Sequence, residues 1–235
     1  MADPSKRLLL LHGAGLGGWI WDRVTPHLTV PAEAVDLPGR TDGTNPGTVT
    51  LKQCIDFVAG KVQPGTILVG HSFSGEVALG VAATHPDDVA AVILVGGVVP
   101  EDGKSFMSLL PLPQRALLYV LLKLAPNGIK IPASQIKKGY CGDLDDATTD
   151  LVLARSVREA PRIYLDPLEW AALPADLPRF YVKLLNDESI NPEMQDQMID
   201  RIRATSVESL RTGHLPMLAQ PSEMAATLNR LSVIV

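Results

Sequence analysis

The stretch TILVGHSFSGEVAL, residues 66–79, joins a short apolar run to a helical pattern through a turn rich in glycine and serine. An apolar run of this length is typical of a strand buried on both faces of a parallel sheet. Ser72 therefore lies where a buried strand ends and a helix begins. In that context a G-x-S-x-G motif holds a serine hydroxyl out of a strained turn, where it can act as a nucleophile. The simpler interpretation is that Ser72 only caps the helix.

The motif departs from its usual form at one position. Ser74 stands where glycine is expected, whereas Gly70 before the nucleophile and Gly75 after it are present. The turn requires small residues at these places, and serine adds only a hydroxymethyl group. We therefore expect the turn to tolerate serine at position 74. The expected effect is slight strain in the turn or a shifted start of the helix.

Similar apolar runs at residues 7–11, 91–95 and 179–185 alternate with helical patterns. This alternation predicts an α/β fold with a mostly parallel, doubly wound sheet. A chain of 235 residues fits one domain. Residues 101–174 interrupt the alternation with apolar helical stretches and many prolines, so we predict a helical insertion there. The core then consists of residues 1–100 and 175–235.

Composition and charge indicate which partners and which cellular compartment to expect. The formal net charge of −5 gives no basic surface for nucleic acid. Cys54 and Cys141 lack metal-site or redox spacing and are expected to be buried free thiols. The apolar run after Lys6 is too short for a signal peptide, and no window is long enough for a membrane span. We therefore expect a cytoplasmic protein without a membrane partner.

A nucleophilic serine requires a base, and five histidines are candidates. His71 adjoins Ser72 but is expected to point away, because adjacent side chains alternate along a strand. His214 follows a weak strand pattern, TSVESL, and precedes the last helix. It is therefore expected on a loop at the carboxyl edge of the sheet, where Ser72 also lies. This placement favours His214 as the base.

The acid that orients the base is predicted at the end of the strand RFYVKLL. Asp187 is the first carboxylate after that strand, which puts it at the same edge as Ser72 and His214. Glu188 is the nearest rival, whereas Asp166 and Asp176 precede the strand and are weaker candidates.

A glycine-rich loop, HGAGLGG at residues 12–18, follows the first strand. Its backbone N–H groups are candidates to stabilise an oxyanion, together with the N–H of Phe73. Gly13, Gly15 and Gly18 also spell G-x-G-x-x-G, which raises a dinucleotide-binding fold. We give that alternative little weight because the serine, acid and histidine all lie where a hydrolase needs them.

Five segments in this order, LLLLHGAGLGGWIWDRV, AVDLPGR, GHSFSGEVAL, FYVKLLNDESINPEMQ and GHLPMLAQP, resemble the α/β-hydrolase superfamily over nearly the whole chain. The resemblance is closest to its methylesterase and hydroxynitrile lyase group. It implies Ser72 as nucleophile, Asp187 and His214 as triad partners, and the amides of Ala14 and Phe73 as the oxyanion hole. It also implies that residues 101–174 form a helical cap over the site.

Two positions separate the branches of that group. Plant-type hydroxynitrile lyases carry threonine directly after the loop histidine and lysine directly after the catalytic histidine, where this chain has Gly13 and Leu215. The resemblance therefore implies ester hydrolysis rather than cyanohydrin cleavage. Retention of Ser72 also argues against haloalkane dehalogenases, which carry aspartate there, and against oxygenases that lack a nucleophile.

The sequence thus predicts a serine hydrolase that cleaves a small or medium apolar carboxylic ester without a metal or organic cofactor. The alternatives are a hydroxynitrile lyase, a lactone or C–C hydrolase with the same triad, and a ligand sensor with slow turnover. The natural substrate and the oligomeric state stay open, a homodimer included. Candidate substrate contacts are Gly13, Phe106, Tyr119, Trp170 and Leu215, with Met107 and Leu110 as further apolar residues of the insertion.

Overall fold

A computed structural model of the chain describes residues 6–235. Its strands are β1 (Arg7–Leu11), β2 (Ala32–Val35), β3 (Thr66–His71), β4 (Val89–Val95), β5 (Arg179–Leu184) and β6 (Ser206–Leu210). These six strands form one open parallel sheet in the order β2-β1-β3-β4-β5-β6. Because all strands run the same way, the loops that follow them meet at one edge of the sheet.

The apolar runs form strands because both faces of the sheet are covered. In β1, Leu9 and Leu11 belong to one hydrophobic cluster, whereas Leu8 and Leu10 belong to the cluster on the opposite face. Adjacent side chains of a strand point to opposite faces, so a strand buried on both sides must be apolar at every position.

Helices supply the covering layers. They are α1 (Leu51–Ala59), α2 (Ser74–Thr84), α3 (Leu112–Lys123), α4 (Ala133–Gln135), α5 (Asp146–Arg155), α6 (Arg162–Leu165), α7 (Pro192–Ile202), α8 (Pro216–Ala219) and α9 (Pro221–Val233). Residues of α1, α2 and α7 pack in the first cluster, and residues of α8 and α9 pack in the second. Thr50 and Gln53 begin α1 with a reciprocal capping box.

The strands predicted at residues 7–11, 66–69, 91–95 and 179–185 are confirmed, with ends that differ by a few residues. The weak pattern TSVESL forms β6. Strand β2 was not predicted, because AEAV is short and only its last residue is buried. Cys54 and Cys141 are buried free thiols, as expected, and burial raises the pKa of Cys54 to about 12.

Between β4 and β5 the chain forms helices α3 to α6 together with short 3-10 and π turns. Its pairings in extended conformation are two isolated bridges, Lys104 with Leu168 and Ile129 with Glu159. The boundaries at residues 101 and 174 stay a prediction, as does the start of the core, since residues 1–5 lie outside the described part of the chain.

Candidate active site

Ser72 occupies the turn between β3 and α2 in a left-handed conformation, with a φ of 54°. A residue with a side chain adopts this conformation only when its surroundings fix it. The fixing bonds run through the backbone: the Ser72 N–H donates to the Val95 carbonyl at 3.1 Å, and the Ser72 carbonyl accepts from Val98 N–H at 2.8 Å. The expected strained turn is therefore present at this serine.

The flanking small residues are required by close backbone contacts. A Cβ on Gly70 would lie 2.5 Å from the Ser74 carbonyl oxygen, and one on Gly75 would lie 2.7 Å from the Val98 carbonyl oxygen. Ser74 itself is fully buried, and its hydroxyl donates to the His12 carbonyl at the start of the glycine-rich loop. Helix α2 begins at Ser74. The serine variant thus adds a bond between the nucleophile turn and that loop.

Asp187 and His214 form a buried pair at the same edge of the sheet. Asp187 Oδ2 lies 2.8 Å from His214 Nδ1, and both side chains are at most 1% exposed. The other carboxylate oxygen, Oδ1, accepts from the backbone N–H groups of Ser189 at 2.7 Å and Ile190 at 3.0 Å. These two donors fix the carboxylate, so it can hold the imidazole in one orientation.

Two aromatic rings flank the His214 imidazole. The rings of His71 and Tyr140 each have their centroid 4.8 Å from that of His214. His71 directly precedes the nucleophile, and Tyr140 lines the same cavity as Ser72. The structure therefore brings Ser72, Asp187 and His214 into one neighbourhood, although among residues 6–235 no hydrogen bond joins Ser72 to His214. In unliganded sites such bonds are often long and tighten when substrate binds.

His71 was expected to point away from the site, and this expectation is wrong. Its Nε2 donates to the His214 backbone carbonyl at 2.8 Å, which identifies Nδ1 as the bare nitrogen. Burial, followed by the neighbouring His214, lowers the pKa of His71 to about 3, so its ring is neutral. The neutral His71 ring can therefore hold the loop of His214 through this hydrogen bond without placing a positive charge beside the His214 imidazole. The alternation rule describes regular strand, whereas His71 is the last strand residue before a sharp turn.

The two proposed oxyanion donors border the cavity with Ser72. Within the described chain, neither the Ala14 N–H nor the Phe73 N–H donates a hydrogen bond. Buried backbone N–H groups are nearly always paired, so two free ones beside a nucleophile are suited to bind an incoming oxygen. Tyr140, a residue of the segment between β4 and β5, donates its hydroxyl to the Ala14 carbonyl at 3.2 Å. This bond restrains the backbone of the glycine-rich loop at Ala14.

A buried ion pair holds the rest of the glycine-rich loop. Arg40 Nη2 lies 2.5 Å from Glu159 Oε2, with side chains 3% and 1% exposed. The same Glu159 oxygen accepts from Gly15 N–H at 2.7 Å, and Arg40 Nε donates to the Leu16 carbonyl at 2.8 Å. The Val157 N–H donates to the Gly15 carbonyl at 2.9 Å. The pair could not be predicted from the sequence, because Arg40 and Glu159 are far apart along the chain and carry no local motif.

These contacts also decide against the dinucleotide alternative. In such folds the loop N–H groups point at a pyrophosphate. Here Gly15 N–H donates to Glu159, and Gly18 N–H donates to Asp36 Oδ1 at 2.7 Å. Two carboxylates therefore occupy the donors that a phosphate would need. Residues 6–235 contain no group of three or more histidine, cysteine, aspartate or glutamate side chains placed to hold a metal ion.

A cavity of about 760 Å³ opens in front of Ser72. Its wall is mostly aliphatic and aromatic, and the insertion supplies much of it. The polar side chains of the lining are Ser72, Gln114, Gln135, Lys138, Glu188 and Ser189, together with Tyr140 and Tyr164. The apolar side chains of the lining are Ala14, Phe73, Val98, Phe106, Leu110, Leu118, Ile129, Ile131, Pro132 and Ile190. This volume falls in the range of small-molecule sites.

Of the predicted substrate contacts, Phe106 and Leu110 line this cavity and the others do not. Tyr119 is 49% exposed on α3. Trp170 lies at a separate surface pocket, where its indole N–H donates to the Pro100 carbonyl. Leu215 is fully buried in the core. Sequence position alone could not show which apolar side chains of the insertion face inward.

Gly13 borders the site without lining the cavity. A Cβ at this position would lie 2.8 Å from His71 Nδ1 and 3.1 Å from Ser72 Cβ. No side chain fits there unless the His71 ring moves, so glycine is required between the loop and the nucleophile turn. What the structure shows at Gly13 is the close approach of the loop to the nucleophile turn.

The family model described as the alpha/beta hydrolase family matches residues 8–227. The chain therefore belongs to the alpha/beta hydrolase family, and the fold expected from its motifs is confirmed. A methylesterase from Arabidopsis has the same fold, with a TM-score of 0.82 and 19% identity over 98% of this chain and 100% of its own.

Curated relatives are named as esterases and hydrolases. The chain is 36% identical over 96 residues to a pimeloyl-acyl carrier protein methyl ester esterase of Neisseria meningitidis, covering 40% of this chain and 31% of that protein. The chain thus spans less than half the length of this relative. A pyrethroid hydrolase of Sphingobium wenxiniae is 27% identical over 245 residues, covering 94% of this chain and 85% of its own.

Proposed function

We propose that the protein is a carboxylic-ester hydrolase that works through an acyl-enzyme on Ser72. The observation that carries this proposal is the strained Ser72 at the cavity floor beside the buried Asp187–His214 pair. The names of the relatives support ester hydrolysis as the reaction class.

In the first half of the proposed reaction, His214 Nε2 takes the proton of the Ser72 hydroxyl as its oxygen attacks the ester carbonyl carbon. The carbonyl oxygen becomes an oxyanion and accepts from the Ala14 and Phe73 amides. Asp187 stabilises the imidazolium that forms. His214 then gives the proton to the departing alcohol oxygen, and the acyl group stays on Ser72.

In the second half, water attacks the acyl carbon. His214 removes a proton from that water and later returns it to Ser72, which releases the carboxylic acid. Each oxyanion donor of this kind is worth about 10²- to 10³-fold in rate. The restraints on the loop by Glu159 and Tyr140 keep the Ala14 amide in place before substrate arrives.

The cavity favours a small or medium apolar ester as substrate. Its volume of about 760 Å³ falls in the range of small-molecule sites, and most of its wall is aliphatic or aromatic. We infer that the apolar part of the substrate packs against residues of the insertion such as Phe106, Leu118 and Tyr164.

Cyanohydrin cleavage is the alternative closest in chemistry, and the geometry at Gly13 disfavours it. A threonine there, as in the lyases that the chain resembles, would collide with His71 and Ser72. Leu215 is buried among apolar residues and brings no cation to the cavity. The site therefore lacks both polar groups that the lyase reaction uses at these positions.

The test is a parallel assay of p-nitrophenyl esters of increasing acyl length and of mandelonitrile, with wild-type protein and Ser72→Ala. We expect ester hydrolysis that Ser72→Ala abolishes and no benzaldehyde release from the cyanohydrin. Equal ester hydrolysis by both proteins would refute the proposal. Serine-dependent benzaldehyde release without ester hydrolysis would establish the lyase instead.

A further inference from the structure

Helix α3 presents large apolar side chains to the outside of the molecule. Of its twelve residues only Leu122 is buried. The side chains that stay 48–74% exposed on this helix and directly after it are Leu112, Leu117, Tyr119, Val120, Leu121 and Leu124. Single exposed apolar residues are ordinary, but a contiguous group on one helix marks a surface that another phase or partner covers.

The segment that contains α3 is also strongly cationic. Residues 103–142 hold six basic residues, Lys104, Arg115, Lys123, Lys130, Lys137 and Lys138, and no acidic one. The remaining chain has 15 basic and 26 acidic residues, so the positive charge is concentrated here. Among residues 6–235, no carboxylate lies within 4.0 Å of these lysines.

The same segment forms part of the wall of the catalytic cavity. Leu110, just before α3, and Gln114 and Leu118 on it all line the cavity. Lys138 lines it as well. Whatever covers the outer side of α3 therefore lies one helix away from the cavity that Ser72 lines.

We propose that α3 and the lysines that follow it bind the surface of an anionic phospholipid bilayer, from which apolar esters enter the cavity. An exposed apolar helix flanked by lysines, without acidic residues, has the composition of helices that lie in the membrane interface. Lysines near such a surface gain from its negative potential. Among residues 6–235, every helix falls short of the length and apolar content that a membrane span requires.

Two other occupants fit the charges and side chains less well. A second copy of the chain, joined through the same face, would bring two cationic segments together with no carboxylate to separate them. A transient protein partner usually binds a surface about as apolar as the average, whereas α3 leaves Leu112, Leu117, Val120 and Leu121 48–74% exposed. The proposal replaces the sequence-based expectation that the protein has no membrane partner.

The test is sedimentation of the full chain with vesicles of phosphatidylcholine alone or with phosphatidylglycerol added, without any ester present. We expect binding only to the anionic vesicles, weakened by salt. Leu117→Gln and Leu121→Gln should each weaken binding about tenfold. Lys123→Gln should weaken it about fivefold.

Matched controls lie on other surfaces. Ile234 is 62% exposed after α9, and the Lys52 side chain is 80% exposed on α1. Ile234→Gln and Lys52→Gln should bind vesicles as wild type does, as should Ser72→Ala. Because no ester is used, the outcome is independent of whether the protein hydrolyses esters.

Three results would overturn the proposal. The first is no sedimentation with anionic vesicles, and the second is equal loss of binding in the controls. The third is a dimer that Leu117→Gln disrupts although the same variant binds anionic vesicles as wild type does. The third result would show that α3 binds a second copy of the chain rather than lipid.

Discussion

Replacing Asp187 by asparagine should disable His214 while leaving the fold intact. Oδ1 of Asp187 accepts two backbone N–H groups, so the asparagine oxygen must take that place because an amide nitrogen cannot accept them. The asparagine –NH₂ then faces His214 Nδ1, which is 2.8 Å from the present Oδ2. A donor there forces Nδ1 to accept and puts the ring proton on Nε2.

The magnitude follows from that change of tautomer. With a proton on Nε2, His214 cannot accept the proton of Ser72, and such a change lowers kcat by about 10⁴-fold. This corresponds to about 5 kcal/mol in the activation free energy. The side chain keeps its shape and its two backbone bonds. In the variant these two bonds go to a neutral amide oxygen and not to a carboxylate. We expect this change to lower the free energy of unfolding by about 1 kcal/mol, or Tm by about 2–4 °C.

The assay is kcat on a p-nitrophenyl ester together with a thermal melt of each protein. The matched control is Glu193→Gln, which removes an exposed carboxylate in the first turn of α7. We expect the control to keep its kcat. If Asp187→Asn keeps kcat within tenfold of wild type, Asp187 does not set the state of His214 and the assignment of the acid is wrong.

Three further changes probe the surroundings of the site. Gly13→Ala should lower kcat about 10²-fold, because the added Cβ displaces the His71 ring. Gly60→Ala is the control and should keep its kcat, because a Cβ on Gly60 meets atoms no closer than 3.6 Å. Equal kcat values for the two variants would refute the steric argument. Glu159→Ala should lower the free energy of unfolding in urea by about 3–5 kcal/mol, because it leaves Arg40 buried and unpaired; a loss below about 1 kcal/mol would contradict this. His71 has a pKa of about 3 in the folded state, so stability should fall as the pH drops from about 6.5 towards 3, because the unfolded chain binds the proton first. In urea titrations at each pH, the free energy of unfolding of His71→Gln should depend less on pH than that of wild type. An unchanged pH dependence would show that His71 is not its cause.

Strands buried on both faces could be predicted because nothing but apolar residues fits them. The cores of β1, β3, β4 and β5 were recognisable for that reason. Strand β2 could not be recognised, since an edge strand of four residues with an exposed side carries neither an apolar run nor a clear alternation.

The candidate triad was accessible from sequence because parallel strands bring the loops after them to one edge. Ser72, Asp187 and His214 each follow a strand, and the structure places them together. What supports them was not accessible. The Arg40–Glu159 pair joins loops distant in sequence, and the orientation of His71 depends on a turn whose path the strand pattern does not specify.

The cavity wall was predicted least well. Phe106 and Leu110 face the cavity, whereas Trp170 and Tyr119 do not. In a helical insertion, apolar residues of the same types can pack in the core, line a cavity or stay exposed to solvent. The side that each one faces is decided by tertiary packing, which a single sequence does not encode locally.

Rapid-quench mass spectrometry during hydrolysis of a p-nitrophenyl ester tests directly whether Ser72 is the nucleophile. We predict an initial release of p-nitrophenol that is stoichiometric with the chain, and an acyl group on Ser72 within the peptide that contains GHSFSG. Fragmentation of that peptide distinguishes Ser72 from Ser74. Full turnover with no acyl adduct, or an adduct on Ser74 alone, would contradict this prediction.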